Sequence, residues 1–256
     1  MICFVSLEHD SWFEHLENRD SHLVHCMDVK LKVEAMTGQP CLVQRYTDVT
    51  HQRLQVLGIT SLLISGNAVP FEAYGDDAFA EMFEIIRRAS MPILGLCGGH
   101  QLIAMAHGAP VTTMRRLRPG EPDITDLSAP GFLKEWGFMS VGVVKPDPIF
   151  DGLGASPEFL QVHHCEIKGL PPGFDLLAST KDCAIQVIKQ RDKPVYGTQF
   201  HPESYTESAC DRRNPLVNLV YPDGYTEARP DGRTLLANFF WIAGVMDRKR
   251  AQGAHE

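Results

Sequence analysis

The first 115 residues alternate short apolar runs with longer segments whose apolar residues recur at helical spacing. We predict strands at residues 2–7, 41–46, 61–64 and 92–96, and helices at residues 12–36, 50–57, 76–89 and 99–107. Parallel strands need crossover connections, and these are usually helical. The chain is therefore predicted to be an α/β protein with a mostly parallel central sheet.

After residue 115 the pattern changes to short β-like runs, and a last helix is predicted at residues 234–246. Two stretches, at about residues 115–135 and 205–230, interrupt this pattern, and loops of that length are often functional. We predict a single domain over residues 1–256 with these two loop excursions.

The amino-acid composition argues against several classes of function. The formal net charge is −8, from 24 Lys+Arg against 32 Asp+Glu, which argues against a nucleic-acid ligand because phosphate-binding surfaces are basic. The seven cysteines are odd in number and lack C-x-x-C spacing, which is typical of reduced thiols. Neither a signal peptide nor a membrane-length apolar run is apparent, so we expect a soluble, cytoplasmic protein with no membrane partner.

The segment Gly95-Leu96-Cys97-Gly98-Gly99 follows a predicted strand and enters a predicted helix. This is the cysteine form of a nucleophile elbow, in which the reactive residue sits on a strained turn and flanking glycines make room for its backbone. At the amino end of a helix, partial positive charge stabilises the thiolate, the form that attacks. A buried structural cysteine in a glycine-rich turn is an equally good interpretation of this motif alone.

A second motif, His201-Pro202-Glu203, follows the predicted strand at residues 195–199. Cysteine, histidine and an orienting acid are the parts of a nucleophilic triad, in which His201 exchanges protons with Cys97 and Glu203 holds the imidazole. Both motifs follow strands, at the edge where open α/β sheets place their sites. The sequence therefore predicts a Cys97-His201-Glu203 triad.

Together these motifs resemble the class I, triad-type glutamine amidotransferases, over most of the chain. The resemblance implies a flavodoxin-like fold with helices on both sheet faces, and no cofactor. It also implies hydrolysis of the glutamine side-chain amide through a γ-glutamyl thioester on Cys97. Gln101 matches the family's glutamine four residues past the nucleophile and would help to hold the substrate.

The sequence departs from the family pattern at two places. The loop after the third strand is Ser65-Gly66-Asn67-Ala68-Val69-Pro70 rather than Ser-Gly-Gly-Pro. The N–H groups of Gly66 or Asn67, with that of Gly98, could still receive an oxyanion, and Asn tolerates positive φ. Val162 stands where relatives often carry serine, so a contact with the substrate's α-amino group would come from backbone or from His163.

Two other clusters invite binding interpretations. His163-His164-Cys165-Glu166 contains zinc-ligating types, but alternate residues of a strand point to opposite faces, so we predict no metal site. The basic run at residues 115–118 is expected to be a solvated loop rather than an anion site.

Three functions fit this sequence. The first is a glutaminase that feeds ammonia to a separate synthase subunit, because 256 residues leave no room for an ATP-dependent partner domain. The second is a hydrolase of γ-glutamyl amines or peptides. The third, a catalytically silent regulatory subunit, is favoured only by the Asn67 and Val162 departures.

Overall fold

The computed structural model describes residues 1–125, 128–207 and 214–247. The strands are β1 (Ile2–Ser6), β2 (Cys41–Arg45), β3 (Ser61–Ile64), β4 (Ile93–Leu96), β5 (Val111–Thr113), β6 (Glu135–Ser140), β7 (Gly142–Val143), β8 (Glu158–His163), β9 (Cys165–Ile167), β10 (Phe174–Ser179), β11 (Val187–Gln190) and β12 (Val195–Thr198). The α-helices are α1 (Leu16–Thr37), α2 (His51–Val56), α3 (Ala80–Arg87), α4 (Gly98–Ala106), α5 (Pro215–Val220) and α6 (Asp231–Ile242).

The central sheet has eight strands in the order β2-β1-β3-β4-β12-β11-β10-β7. The pairings from β2 across to β12 are parallel, and the last three pairings, out to β7, are antiparallel. Two small antiparallel ribbons, β5 with β9 and β6 with β8, stand beside it. The predicted α/β fold with a mixed, mostly parallel sheet is confirmed.

Two apolar clusters cover the two faces of this sheet. One contains buried residues of α1 and α6, and the other contains those of α2, α3 and α4. Successive strand residues alternate between the clusters: Ile2 and Phe4 belong to the first, Cys3 and Val5 to the second. This is the alternation expected of a sheet covered on both sides.

Helix α1 is present as predicted, but its most apolar stripe does not face the sheet. The side of α1 that packs on the sheet instead carries Cys26, Val29, Val33 and Thr37. The exposed stripe consists of Leu16, Leu23, Val24, Met27 and Leu31, each more than half exposed. The apolar residues at helical spacing thus mark the helix, but most of them lie on its exposed side.

The two predicted excursions lie outside the main sheet. In the described part of the first, an isolated bridge joins Arg116 to Phe132, and the buried Lys134 ammonium pairs with Asp123. The second contains α5, and a bridge between Thr206 and Arg229 closes its base; its residues 208–213 lie outside the described part. No helix among the described residues is long and apolar enough to cross a bilayer.

The start of α4 packs backbone to backbone against strands β3 and β4. A Cβ on Gly99 would lie 2.3 Å from the carbonyl oxygen of Ile64, and one on Gly95 would lie 2.4 Å from the carbonyl carbon of Gly99. Only glycine permits this approach. It fixes how far the first turn of α4 stands from the sheet.

We expect Gly99→Ala to lower the free energy of unfolding by about 3 kcal/mol, because the added methyl meets backbone that cannot move aside. Gly75→Ala is the matched control, since a Cβ there meets nothing within 4 Å. Urea denaturation of both variants measures the difference. Equal stability of the two would contradict the close approach.

Candidate active site

Cys97 lies between the end of β4 and the first residue of α4, in a conformation that L-residues rarely adopt. Its φ is 49° and its ψ is −102°, and Ala129 is the one other non-glycine residue with positive φ in the described part of the chain. The backbone N–H of Cys97 donates to the Thr198 carbonyl at 2.7 Å, which ties the turn to β12. The side chain is 8% exposed. The turn thus has the strained geometry of a nucleophile elbow.

His201 and Glu203 follow β12 and lie beside this cysteine. His201 Nδ1 is 2.7 Å from Glu203 Oε1, and the imidazole lies near enough to the Cys97 sulfur for the two groups to interact electrostatically. Gly66 lies against both residues, because a Cβ built on it would be 3.2 Å from His201 Cε1 and 3.4 Å from Cys97 Cβ. The three residues predicted as a triad are therefore in contact, in the order Cys97, His201, Glu203.

The charges of this group stabilise one another. Burial by itself would lower the pKa of His201, but the adjacent Glu203 carboxylate and the Cys97 sulfur outweigh it and raise that pKa. Burial would raise the pKa of Glu203, and the His201 imidazolium lowers it instead. The surroundings of His201 therefore favour its charged imidazolium form beside an ionised Glu203.

Two residues of helix α1 contact Glu203, the acid of the predicted triad. Sequence reasoning did not identify these contacts. Lys32 Nζ donates to the Glu203 carbonyl at 3.0 Å and lies 4.5 Å from the centre of the Tyr205 ring. His25 is largely buried, with Nε2 3.9 Å from Glu203 Oε1, and burial lowers the pKa of His25 to about 4. A neutral imidazole and a clamped backbone thus surround the carboxylate. Local sequence gives no signal for contacts across more than 170 residues.

The loop after β3 approaches the first turn of α4. Asn67 lies against Gly98, where an added Cβ would be 1.8 Å from its Oδ1, and its side-chain amide donates to the Val69 carbonyl at 2.6 Å. Asn67 does not have the positive φ that its residue type would permit. Gly98 is the first residue of α4, so its N–H has no partner within the helix. The backbone of Gly66, Asn67 and Gly98 therefore converges beside Cys97.

A buried carboxylate that the sequence did not single out holds this loop. Glu8 follows β1, is 4% exposed, and accepts the N–H groups of Ala68 at 2.8 Å and Val69 at 3.2 Å. Burial raises the pKa of Glu8 even though these backbone donors favour its charged form. The only sequence signal was an acid directly after a buried strand.

Gln101 lies on α4, one turn after Cys97, and lines a cavity that opens above that cysteine. Its Nε2 donates to the Cys165 carbonyl at 3.1 Å and to Gln199 Oε1 at 3.1 Å. Gln199 Nε2 in turn donates to Cys97 Sγ at 3.6 Å. The amide nitrogen of Gln101 is thus committed to protein acceptors, and Gln199 contacts the sulfur although sequence reasoning did not select it.

The ring of His163 is directed into the protein. Nδ1 is 3.0 Å from the Cys165 carbonyl oxygen and Nε2 is 2.8 Å from Glu135 Oε2. Both ring nitrogens thus face protein oxygens rather than the cavity. The expected substrate contact from His163 is therefore left to its backbone.

A second grouping of cysteine, histidine and glutamate includes His163, at the end of strand β8. The atoms of Glu135, His163 and Cys183 that could bind a metal ion lie within 4.8 Å of one another, and all three residues are buried. Cys183 is fully buried, and burial raises its pKa well above that of a free thiol. Unlike Cys97, it does not line the cavity. This grouping therefore lacks the access that a nucleophile requires.

A cavity of about 550 Å³ opens above Cys97. It is lined mainly by the loop after β3, residues of α4, the segment from α4 into β5, and residues 162–165. Glu72 is an exposed acid at this cavity. The volume is within the range of small-molecule sites.

We expect Glu8→Gln to loosen the loop after β3, because an amide can accept one of the two N–H groups but presents its own donors to the other. Hydrogen exchange at Ala68 or Val69 should be at least about tenfold faster, from losing a hydrogen bond to a charged acceptor. Glu34→Gln is the control, since Glu34 also accepts a backbone N–H, from Cys41 at 2.8 Å, but lies away from the loop. Unchanged exchange in Glu8→Gln would contradict the role of this carboxylate.

Comparison with known proteins agrees with this geometry. Residues 35–212 match the family model described as glutamine amidotransferase class-I. A subunit of the glutamine-hydrolysing GMP synthase of Methanothermobacter thermautotrophicus is 38% identical over 120 residues, which cover 47% of this chain and 55% of that protein. The corresponding subunit from Methanocaldococcus jannaschii is 28% identical over 179 residues, covering 64% of this chain and 86% of that protein. The match to the first therefore spans little more than half of that relative's length.

Solved structures show the same fold. A putative GMP synthase subunit from Thermoplasma acidophilum superposes with a TM-score of 0.63 and 24% identity, over 95% of this chain and 94% of that chain. A glutamine amidotransferase from Thermotoga maritima gives a TM-score of 0.64 at 12% identity, over 95% of this chain and 97% of that one. Since the family model matches well over half of the sequence, the chain belongs to the class I glutamine amidotransferase family.

Proposed function

We propose that this chain hydrolyses the side-chain amide of L-glutamine and supplies the ammonia to a separate synthase subunit. The observation that carries the proposal is the contact of Cys97, at a strained turn before a helix, with a His201 imidazole whose pKa Glu203 and Cys97 raise. This arrangement suits nucleophilic attack by a thiolate.

In the proposed reaction the Cys97 sulfur attacks the amide carbon, forming a C–S bond. The tetrahedral intermediate then collapses with cleavage of the C–N bond, and the His201 imidazolium protonates the departing nitrogen to give ammonia. A water molecule, deprotonated by His201, attacks the resulting thioester and expels the Cys97 thiolate with release of glutamate. Glu203 orients the imidazole throughout and remains ionised.

The oxyanion of each tetrahedral intermediate would be stabilised by backbone donors. The Gly98 N–H lies at the first position of α4, where the helix dipole adds to its hydrogen bond. The N–H of Gly66 or Asn67, on the loop that Glu8 holds, would be the second donor.

The α-amino and α-carboxylate end of glutamine would bind along the mouth of the cavity. Glu72 supplies a negative charge for the α-ammonium group, and the carbonyl of Val162 lies 4.0 Å from Cys97 Sγ. These groups take the place of the serine side chain that position 162 lacks.

The ammonia acceptor is proposed from the relatives. Several of them are named as one subunit of a glutamine-hydrolysing GMP synthase, a name that links glutamine hydrolysis to a synthase made of separate subunits. We therefore infer that the partner of this chain is a synthase subunit that consumes ammonia.

The first experiment measures glutamate release from L-glutamine and from γ-glutamyl amines by the pure protein. Turnover of glutamine that increases when the synthase subunit is added supports the proposal. Fast turnover of γ-glutamyl amines alone would favour the alternative, a γ-glutamyl hydrolase. If neither substrate reacts and diazo-norleucine does not label Cys97, the enzymatic proposal is wrong.

A second experiment separates the two cysteine groupings. We expect Cys97→Ala to abolish glutamate release, because the proposed thioester forms on the Cys97 sulfur. Cys183→Ala should retain most activity and lose only stability, since Cys183 is buried away from the cavity. Steady-state assays and melting temperatures of both variants test this. Activity that survives Cys97→Ala and disappears in Cys183→Ala would reverse the assignment.

A further inference from the structure

We propose that Gln199 is a positioning residue for the nucleophile, holding Cys97 Sγ with its side-chain amide and stabilising the thiolate. The inference rests on the proposed function and adds a second donor to the sulfur beside His201. Gln199 lies between strand β12 and His201.

The position of Gln199 is fixed from both sides. Its side chain is fully buried, and its backbone N–H donates to the Gln186 carbonyl at 2.8 Å. The preceding residue, Thr198, accepts the backbone N–H of Cys97 at 2.7 Å. The backbone of Gln199 is thus held in register with the cysteine turn, and its amide nitrogen lies 3.6 Å from Cys97 Sγ, within hydrogen-bonding distance for sulfur.

The direction of this hydrogen bond follows from a chain of partners. The Cys165 carbonyl can only accept, so the Gln101 amide must present its nitrogen there. That same nitrogen donates to Gln199 Oε1, which leaves only Gln199 Nε2 to face the sulfur. Rotating the Gln101 amide by 180° would bring acceptors together, and rotating the Gln199 amide would bring its nitrogen against the Gln101 nitrogen, so that two donors meet. The backbone at Cys165 therefore determines that Gln199 donates to Cys97.

A hydrogen-bond donor beside Cys97 Sγ stabilises the thiolate form of the sulfur. A hydrogen bond to an ionised group favours that form, and burial makes it stronger than in water. The thiolate occurs twice in the proposed reaction, before attack and when water expels it from the thioester. Gln199 keeps its proton in both steps, because an amide donates without transferring it.

A neighbouring glutamine provides the comparison. Gln161 is equally buried, and its Nε2 donates at 3.0 Å to Gln186 Oε1 rather than to a group of the triad. A buried glutamine that only fills space and pairs with another side chain would behave like Gln161. The two side chains differ in the contact with Cys97.

The test is the pH dependence of Cys97 alkylation by iodoacetamide, followed by mass spectrometry of the peptide that contains Cys97. It needs no glutamine turnover, so its result is distinct from failure of the proposed function. In Gln199→Leu we expect alkylation at neutral pH to slow about tenfold and the midpoint of the profile to move to higher pH, which is the scale of one hydrogen bond to a charged group. Glutamine kcat should fall by a similar factor.

Two further variants make the result decisive. Gln199→Glu keeps the shape and still accepts from Gln101, but it presents a negative acceptor to the sulfur, so its profile should shift further in the same direction. Gln161→Leu should lose stability without moving the profile. A Gln199→Leu profile that superposes on that of the unchanged protein, or an equal shift in Gln161→Leu, would overturn the proposal.

Discussion

The site depends on direct backbone contact between the first turn of α4 and the strands beneath it. Gly95 and Gly99 allow the helix to start against β3 and β4, and Gly66 and Gly98 clear the space beside Cys97. With no side chains between these segments, the turn at Cys97 cannot relax, and its backbone stays in a strained region. Cys97, the loop after β3 and the end of β12 are therefore held within a few ångströms by packing rather than by flexible side chains.

Around this contact the protein buries several polar groups and gives them specific partners. Glu8 holds the loop, Lys32 holds the backbone of Glu203, and the amides of Gln101 and Gln199 connect the Cys165 carbonyl to the sulfur. Buried polar groups are costly unless they are paired, and pairing them fixes their orientation. Each of these residues thus limits the positions available to one part of the triad.

Local sequence was sufficient for the alternation of strands and helices, for the Gly-x-Cys-x-Gly turn and for the His-Pro-Glu segment, because each pattern lies within about ten residues. It failed where the partners are distant in sequence. The sheet-facing side of α1 is set by contacts with the sheet, α5 and α6, so the stripe containing Leu23 and Met27 was misleading. Glu8 gains its role only because β1 lies beside β3, and Gln199 gains its role only because β12 lies beside β4. The ring of His163 turns toward Glu135, a partner 28 residues away that strand alternation cannot identify.

The positive φ of Cys97 has a consequence for how such a chain can change over time. A non-glycine residue in this conformation costs on the order of 1–3 kcal/mol, and glycine would adopt it freely. Folding alone therefore favours replacing Cys97, and a lineage released from selection for activity would gain stability by losing its sulfur. A cysteine retained at such a strained position is what selection for its chemistry would leave.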